Sequence, residues 1–329
     1  MGNHRAFVCH EITEDLTGTG LQTVKTRNPG PGEVRVNVKA ASVNFPDILI
    51  CQGKYQLKLE PPFTPGMDMS GLVESVGRGV TAFRPGDAVA GGVRFGAFSE
   101  QLVITSDGLV AKPETMGFSE AAAYPAAYLT AYVSLVRRGV LQAGETLLVH
   151  GASGGVGLAA VDLGKVLGAR VIATTGSPEK AETLRAYGAD HVLLTQDGFR
   201  EPVKALTEGR GADVIFDPVG GDVFDESVRC IAFSGRLLVI GFTSGRIASV
   251  STNMPLIKGF SVVGVRAGEY GRRFPEKGRE NVKAIWGMAR SGQTRPRVHA
   301  EFPLEDTRAA MALLERREVI GKVIVTPQQ

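Results

Sequence analysis

Cysteine, net charge and long apolar runs are all scarce in this sequence, and each scarcity argues against a class of protein. The three cysteines among 329 residues, Cys9, Cys51 and Cys230, lie far apart, which argues against a disulfide framework and is typical of a reducing compartment. No apolar stretch approaches the ~18 residues of a membrane span, and the first residues lack the apolar core of a signal peptide. We therefore expect a cytoplasmic protein that has no membrane partner.

The charge pattern also argues against nucleic acid as the main partner. The formal net charge is only +3, and no Lys/Arg run is interleaved with aromatic residues. Hydrophobic residues make up 43% and charged residues 22%, which are ordinary values for a globular protein. A chain of this length has room for two domains, each with its own core.

The pattern of the sequence changes about a third of the way along the chain. Up to about Leu109 it alternates apolar and polar residues between Gly/Pro turns, as in Val34–Ala40, which predicts irregular β structure. From about Ala121 apolar strands alternate with helical segments, which predicts a doubly wound parallel sheet and an α/β fold. The predicted strands of that sheet are Thr146–Val149, Arg170–Thr174, His191–Leu194, Asp213–Asp217, Arg236–Ile240 and Phe260–Val265.

A glycine loop follows the first of these strands. Gly151, Gly154 and Gly157 stand at three-residue spacing between Thr146–Val149 and a helical pattern. Glycine lets a backbone approach phosphates closely, and the next helix offers free N–H groups and the positive end of its dipole. This order of elements predicts a site for the pyrophosphate of a dinucleotide.

Ligands of an open parallel sheet bind beyond the carboxyl ends of its strands, where the loops 151–157, 175–180, 218–221 and 241–245 are expected. An NAD site usually carries an acidic residue at the end of the second strand, but Thr175 stands there. Thr175, Gly176, Ser177 and the cation Lys180 leave room and donors for a 2′-phosphate, so we predict NADPH as the cofactor.

The sequence resembles the medium-chain dehydrogenase/reductase superfamily, in its zinc-free NADPH:quinone oxidoreductase branch, which includes the zeta-crystallins. The resemblance covers nearly the whole chain. It is carried by motifs in the family's order: 41–47 (ASVNFPD), 53–55 (GKY), 65–71 (PGMDMSG), 76–77 (VG), 83–89 (FRPGDAV), 129–132 (LTAY), 151–157 (GASGGVG), 217–220 (DPVG) and 321–322 (GK). The resemblance implies a GroES-like, β-rich catalytic domain built from residues 1–123 and 267–329, with a Rossmann domain inserted at 124–266.

The resemblance also implies that no metal is bound. Zinc-dependent relatives have a Cys where this chain has Asn44, a His-Glu pair at Met67-Asp68, and a third ligand at Ala126. Methionine is a poor zinc ligand and alanine is none. Without a Lewis acid, the expected acceptors are those that take hydride readily, such as quinones or activated C=C bonds.

Asn44, Asp47 and Tyr55 are the candidate catalytic residues that the resemblance implies. Many zinc-free relatives carry a tyrosine and an arginine where this chain has Leu49 and Cys51, so a dedicated proton donor is in question. The candidate cofactor contacts are Phe45, Thr130, Ser153, Gly154, Gly155, Val156, Thr175, Gly176, Ser177, Lys180, Val219, Gly241, Phe242, Val265, Arg317 and Lys322. A homodimer formed through the edge strand 260–265 is also implied.

Three functions are compatible with these observations, and reduction of a small-molecule quinone by NADPH is the first. The second is reduction of enals, enones or enoyl thioesters, for which the grouped cations Arg266, Arg272, Arg273 and Lys277 could engage a carrier's phosphates. The third is a non-catalytic, NADPH-binding structural protein, as the lens crystallins of this family illustrate.

Overall fold

The computed structural model describes residues 2–328 and contains mixed α and β structure. Its strands are β1 (Asn3–Cys9), β2 (Thr19–Lys25), β3 (Glu33–Val43), β4 (Asp68–Val76), β5 (Ala88–Gly92), β6 (Gln101–Thr105), β7 (Leu109–Ala111), β8 (Thr146–Val149), β9 (Arg170–Thr175), β10 (His191–Leu194), β11 (Ala212–Asp217), β12 (Ile231–Val239), β13 (Ser261–Gly264), β14 (Val298–Pro303) and β15 (Lys322–Thr326).

The helices are mostly short. They are α1 (Phe45–Cys51), α2 (Phe118–Ala123), α3 (Pro125–Tyr132), α4 (Gly155–Val166), α5 (Ala181–Ala186), α6 (Arg200–Leu206), α7 (Gly221–Ser227), α8 (Asn253–Lys258), α9 (Ala267–Arg273), α10 (Pro275–Arg290) and α11 (Thr307–Glu315). A π-helical segment covers Val133–Arg138, and 3₁₀ turns cover Ser106–Gly108, Pro178–Lys180, Thr195–Asp197 and Leu304–Asp306. Within residues 2–328, no helix has both the length and the apolar character that a membrane span requires.

The chain divides into two compact units. Unit 1 comprises residues 2–126 and 296–328, and unit 2 comprises residues 127–295. The sequence analysis placed the end of the inserted domain between residues 266 and 267, whereas residues 267–295 group with unit 2 in the structure. They do so because α10 packs there: Arg137 donates to Oδ1 of the buried Asn281 at 2.8 Å.

Unit 1 is built on a seven-stranded sheet of order β14-β15-β3-β4-β5-β7, with β6 also paired to β3. Strand β3 alternates as its sequence predicts, and Val34, Val36 and Val38 are completely buried. The last strand, β15, pairs antiparallel with the end of β3, with Val323 opposite Val43. This pairing brings the terminal Gly-Lys motif beside Asn44.

Unit 2 contains a six-stranded, wholly parallel sheet of order β10-β9-β8-β11-β12-β13. Numbered from its first strand, this is the 3-2-1-4-5-6 order of a dinucleotide-binding sheet. The predicted strands at 146–149 and 191–194 coincide with β8 and β10. The predicted fold class is therefore confirmed: a β-rich unit and a doubly wound parallel sheet.

Candidate active site

The glycine loop of unit 2 forms a cradle that only glycine permits. Gly151 has a φ of +54°, and a Cβ placed on Gly157 would lie 2.3 Å from the carbonyl oxygen of Gly151. Helix α4 begins directly after the loop, with Gly154 at its N-cap and no acidic residue in its first turn. The predicted residues Ser153, Gly155 and Val156 therefore present backbone N–H groups where the helix dipole favours an anion, whereas the N–H of Gly154 donates to the Gly151 carbonyl at 3.0 Å. The cradle fits a pyrophosphate.

The end of β9 carries hydroxyl groups rather than a carboxylate. Oγ1 of the buried Thr175 accepts a hydrogen bond from the Ser177 backbone N–H at 3.3 Å. The Ser177 hydroxyl donates to Oε2 of Glu179 at 3.3 Å, so an acidic group lies later in the same loop. Gly176 is exposed, and Lys180 is half-buried at the end of the 3₁₀ turn.

The loops after β11 and β12 are joined to each other. The buried Asp217 accepts hydrogen bonds from the N–H groups of Val219 and Gly220 at 2.8 and 2.9 Å, and its burial raises the pKa of the carboxyl group. Backbone bonds then link Pro218 and Val219 to residues 243 and 244. Three predicted residues, Val219, Gly241 and Phe242, are brought together in this way. Thr130 in α3 and Val265 after β13 belong to the same unit.

His150 lies under the cradle and was given no role by the sequence. Its two ring nitrogens lie 2.9 Å from the Thr174 hydroxyl and 2.8 Å from the Ser227 hydroxyl, and the ring packs on Phe199. Complete burial lowers the pKa of His150 to about 3, so the ring is neutral near pH 7. The histidine, which directly precedes the glycine loop, therefore joins the end of β8 to β9 and α7.

A second polar site lies in unit 1, where three chain segments meet. Asn44 precedes α1, and its Nδ2 donates to Oδ2 of Asp68 at 3.0 Å and to the Ser42 carbonyl at 3.2 Å. Its Oδ1 accepts a hydrogen bond from Nζ of Lys322 at 2.6 Å, and the same ammonium donates to the Val43 carbonyl. All of these side chains are buried. We call Asn44, Asp47, Asp68 and Lys322 the polar cluster.

Asp47 holds the start of α1 in place. Its carboxylate accepts hydrogen bonds from the N–H of Asn44 at 2.8 Å and from the N–H of Gly66 at 3.2 Å. Burial raises the pKa of Asp47 to about 7, and the charge of Asp68 adds to the effect. Burial likewise raises the pKa of Asp68 and lowers the pKa of Lys322. Burial therefore disfavours the charged forms of these three groups, and pKa values perturbed in this way are typical of a functional site.

Not every predicted residue joins these two sites. The half-buried Tyr55 and Phe45 pack against the core of unit 1. Arg317 follows α11 in unit 1, with a φ of +58°. Cys51 is buried near Cys9, and burial raises the pKa of its thiol, which argues against nucleophilic reactivity.

Asp68 and Ser42 are the members of the site that sequence reasoning missed. Asp68 was considered only as a substitute for a zinc ligand, although a carboxylate at the start of an apolar strand is itself a signal. Ser42 donates to Oδ2 of Asp68 at 3.3 Å, and no pattern in the sequence around Ser42 predicts this contact. Among residues 2–328, no group of three or more His, Cys, Asp or Glu side chains is arranged to hold a metal ion.

Parts of both units match known protein families. Residues 30–114 match the alcohol dehydrogenase GroES-like domain family, and residues 155–284 match the zinc-binding dehydrogenase family. The chain is 39% identical to quinone oxidoreductase-like protein 2 of Mus musculus, over 98% of this chain and 92% of that protein.

The chain belongs to the medium-chain dehydrogenase/reductase superfamily, in its quinone oxidoreductase branch. A quinone oxidoreductase from Pseudomonas syringae pv. tomato superposes with a TM-score of 0.89 at 29% identity, covering 98% of this chain and 100% of that one. The CurK enoyl reductase superposes with a TM-score of 0.89 at 27% identity, covering 98% and 99%. Members of this superfamily are oxidoreductases that use a nicotinamide cofactor, and the cradle of unit 2 has the form that such a cofactor requires.

Proposed function

We propose that this protein is an NADPH-dependent reductase that transfers hydride to quinones without a metal ion. The observation that carries the proposal is the polar cluster, which fills two of the positions that hold zinc in zinc-dependent relatives. Asn44 and Asp68 are hydrogen-bonded to each other there, and Asn44 is also bonded to the ammonium of Lys322. A zinc ion would meet an amide in place of a thiolate, and a buried cation close by.

The preference for NADPH is supported by the loop after β9. Thr175 occupies the position where an acidic residue would accept both ribose hydroxyls of NAD and would repel a 2′-phosphate. Its hydroxyl, the exposed Gly176 and the nearby Lys180 suit a phosphate better. Glu179 opposes this preference, but it is bonded to Ser177 in the structure.

When bound, the nicotinamide supplies the hydride, and the protein supplies position and electrostatics. The N–H groups of the cradle bind the pyrophosphate. Asn44 is held in one orientation by three partners, so it is suited to fix a polar group of the cofactor or acceptor. The ammonium of Lys322 donates two of its three N–H groups to Val43 and Asn44, so the third can donate to a ligand.

The departure at Leu49 and Cys51 favours quinones over alkenes. A quinone that has accepted hydride is protonated on oxygen, which water can do without a positioned acid. Reduction of a C=C bond requires protonation at carbon, which an enzyme normally organises with a placed donor.

The decisive experiment measures the consumption of reduced cofactor by the purified, chelator-treated protein. We expect 9,10-phenanthrenequinone to support oxidation of NADPH, with NADH much less effective and added zinc without effect. Loss of activity on chelation, restored by zinc, would contradict the metal-free mechanism. Cofactor binding without turnover of any acceptor would instead favour the non-catalytic alternative.

Reduction of activated C=C bonds is the second candidate, because the CurK enoyl reductase shares the whole fold. The cations that sequence analysis grouped for this role are partly occupied, since Arg272 and Arg273 both pair with Glu269. Activity on crotonyl-CoA and an alkenal, without activity on the quinone, would establish this alternative.

We also propose that the protein forms a homodimer through the edge of the parallel sheet. Phe233, Leu256 and Ile257 are 80%, 82% and 72% exposed, and they flank the open edge strand β13. An unpaired edge beside exposed apolar side chains is a surface that proteins normally cover. Light scattering coupled to size exclusion should show a dimer that Leu256→Glu dissociates. The matched change Leu21→Glu in unit 1 should leave it intact, and a monomeric wild type would contradict the proposal.

A further inference from the structure

An open cleft in unit 1 lies outside both sites described above. It has a volume of about 730 Å³, within the range of small-molecule sites. The β1–β2 hairpin and β6 form its walls, and the segments 62–64 and 92–96 complete it. Every residue that lines it belongs to unit 1.

The charge of this cleft is of one sign. Lys25, Arg27, Arg35 and Arg94 line it, and none of the described aspartates or glutamates does. Arg27 pairs with Glu33 and Arg35 with Glu74, so these two cations are compensated. Lys25 and Arg94 are exposed, and within residues 2–328 their side chains make no hydrogen bond or ion pair. His4 adds no charge near pH 7, because burial lowers its pKa.

The cleft also has an apolar surface. Phe63 is nearly buried, whereas Phe95 is 44% exposed and follows Arg94 directly. Leu102 on β6 contributes a further apolar side chain. A ligand that fits both features carries an anionic group next to an apolar chain or ring.

One residue of the cleft, Gly92, lies beside the polar cluster. Gly92 lines the cleft, and a Cβ added to it would lie 3.8 Å from Oδ1 of Asp68. Strand β5 pairs with β4 so that Gly92 stands opposite Asp68, which explains the proximity. The cleft that Lys25 and Arg94 line therefore also reaches a neighbour of the polar cluster.

We propose that this cleft is a binding site for an anionic amphiphile, in which Lys25 and Arg94 bind a phosphate group and Phe63 and Phe95 bind the attached apolar chain. The site goes beyond the proposed reductase activity, and its occupancy can be measured without turnover. A hydride acceptor that carries a phosphate group would bind at this site, whereas a neutral acceptor would not make these charge contacts.

The test is calorimetric titration of the full chain with octyl phosphate at low salt. Octyl phosphate should bind more tightly than octyl glucoside, which keeps the chain but has no charge, and than inorganic phosphate, which has no chain. The variant K25Q/R94Q should weaken binding by about tenfold, since two exposed charge contacts are lost. Salt should weaken binding to the wild type in the same way.

A matched control removes one lysine and one arginine from elsewhere on unit 1. Lys39 bonds to Gln328 and Arg84 pairs with Asp87, and neither residue lines the cleft. K39Q/R84Q should bind octyl phosphate like the wild type. Equal weakening of binding in both double variants would overturn the proposal. Unchanged binding in K25Q/R94Q would also overturn it, because the ligand would then bind elsewhere, such as at the glycine cradle. Equal affinity for octyl glucoside or for inorganic phosphate would also overturn it.

Discussion

The glycine cradle of unit 2 and the polar cluster of unit 1 are built in opposite ways. The cradle consists of backbone N–H groups contributed by one continuous stretch, residues 151–157. The cluster consists of buried side chains from distant parts of the chain, since Asn44 and Lys322 are 278 positions apart. A backbone site depends on what its residues lack, namely a Cβ, whereas a side-chain site depends on charges whose burial must be compensated. The two sites should therefore fail in different ways.

The largest effect is expected from a single methyl group in the cradle. Gly157→Ala places a Cβ 2.3 Å from the Gly151 carbonyl oxygen, so the loop must shift and cofactor binding should be lost. Titration of NADPH fluorescence measures the binding. Gly287→Ala is the matched control, because this helical glycine of the same unit has no atom near the added Cβ. The control should bind normally and gain stability, by roughly 0.5–1 kcal/mol.

The stability of the polar cluster should depend on the charges of its side chains rather than on their volume. Lys322→Met removes the cation that faces two buried carboxylates, and it should lower the free energy of unfolding by about 3 kcal/mol. Urea denaturation measures this change. The double variant D68N/K322M also removes one of the charges left behind, so it should be more stable than K322M alone. If the double variant were no more stable, the cluster would be held by packing instead.

Asp47 of unit 1 and His150 of unit 2 should contribute to stability with opposite dependence on pH. Burial raises the pKa of Asp47 from 3.8 to about 7, so in that window the folded protein holds more protons than the unfolded chain. Its stabilising contribution is complete below about pH 4 and is lost as the pH rises to about 7. Burial lowers the pKa of His150 from 6.5 to about 3. The stabilising contribution of His150 is therefore complete above pH 6.5 and is lost as the pH falls from 6.5 to about 3.

Unfolding free energies measured between pH 4 and 7 separate the two contributions. Asp47→Asn should make stability rise more steeply with pH, and His150→Gln should make it rise less or fall. The expected change approaches about 1.4 kcal/mol per pH unit for each group. Parallel profiles for the wild type and either variant would show that the group concerned has the same pKa in both states.

The smallest effect concerns cofactor choice. Thr175→Asp keeps an acceptor for the Ser177 N–H but adds a negative charge, so the ratio of kcat/KM for NADPH over NADH should fall about tenfold. Thr175→Asn has similar size without the charge and should leave the ratio near its wild-type value. An equal fall in both variants would mean that shape, rather than charge, sets the preference.

The sequence predicted the parts of this protein that depend on neighbouring residues. The strand 146–149, the glycine loop and the helix after it are adjacent in the chain, so their periodicity and spacing identified the cradle and the parallel sheet. The end of unit 2 was placed too early, because the packing of α10 against Arg137 joins residues 144 positions apart.

What the sequence by itself determined is therefore the order of elements, the class of fold and the position of the glycine loop between β8 and α4. Only the tertiary structure placed Asp68 and Lys322 on either side of Asn44, since antiparallel pairing of β15 and β4 with β3 brings them there. It also enclosed His150 between two hydroxyls and, among residues 2–328, left Lys25 and Arg94 without partners in the cleft that Phe95 lines. The reason is physical: burial and charge compensation arise between segments that are distant in the chain, and local sequence patterns carry no signal of either.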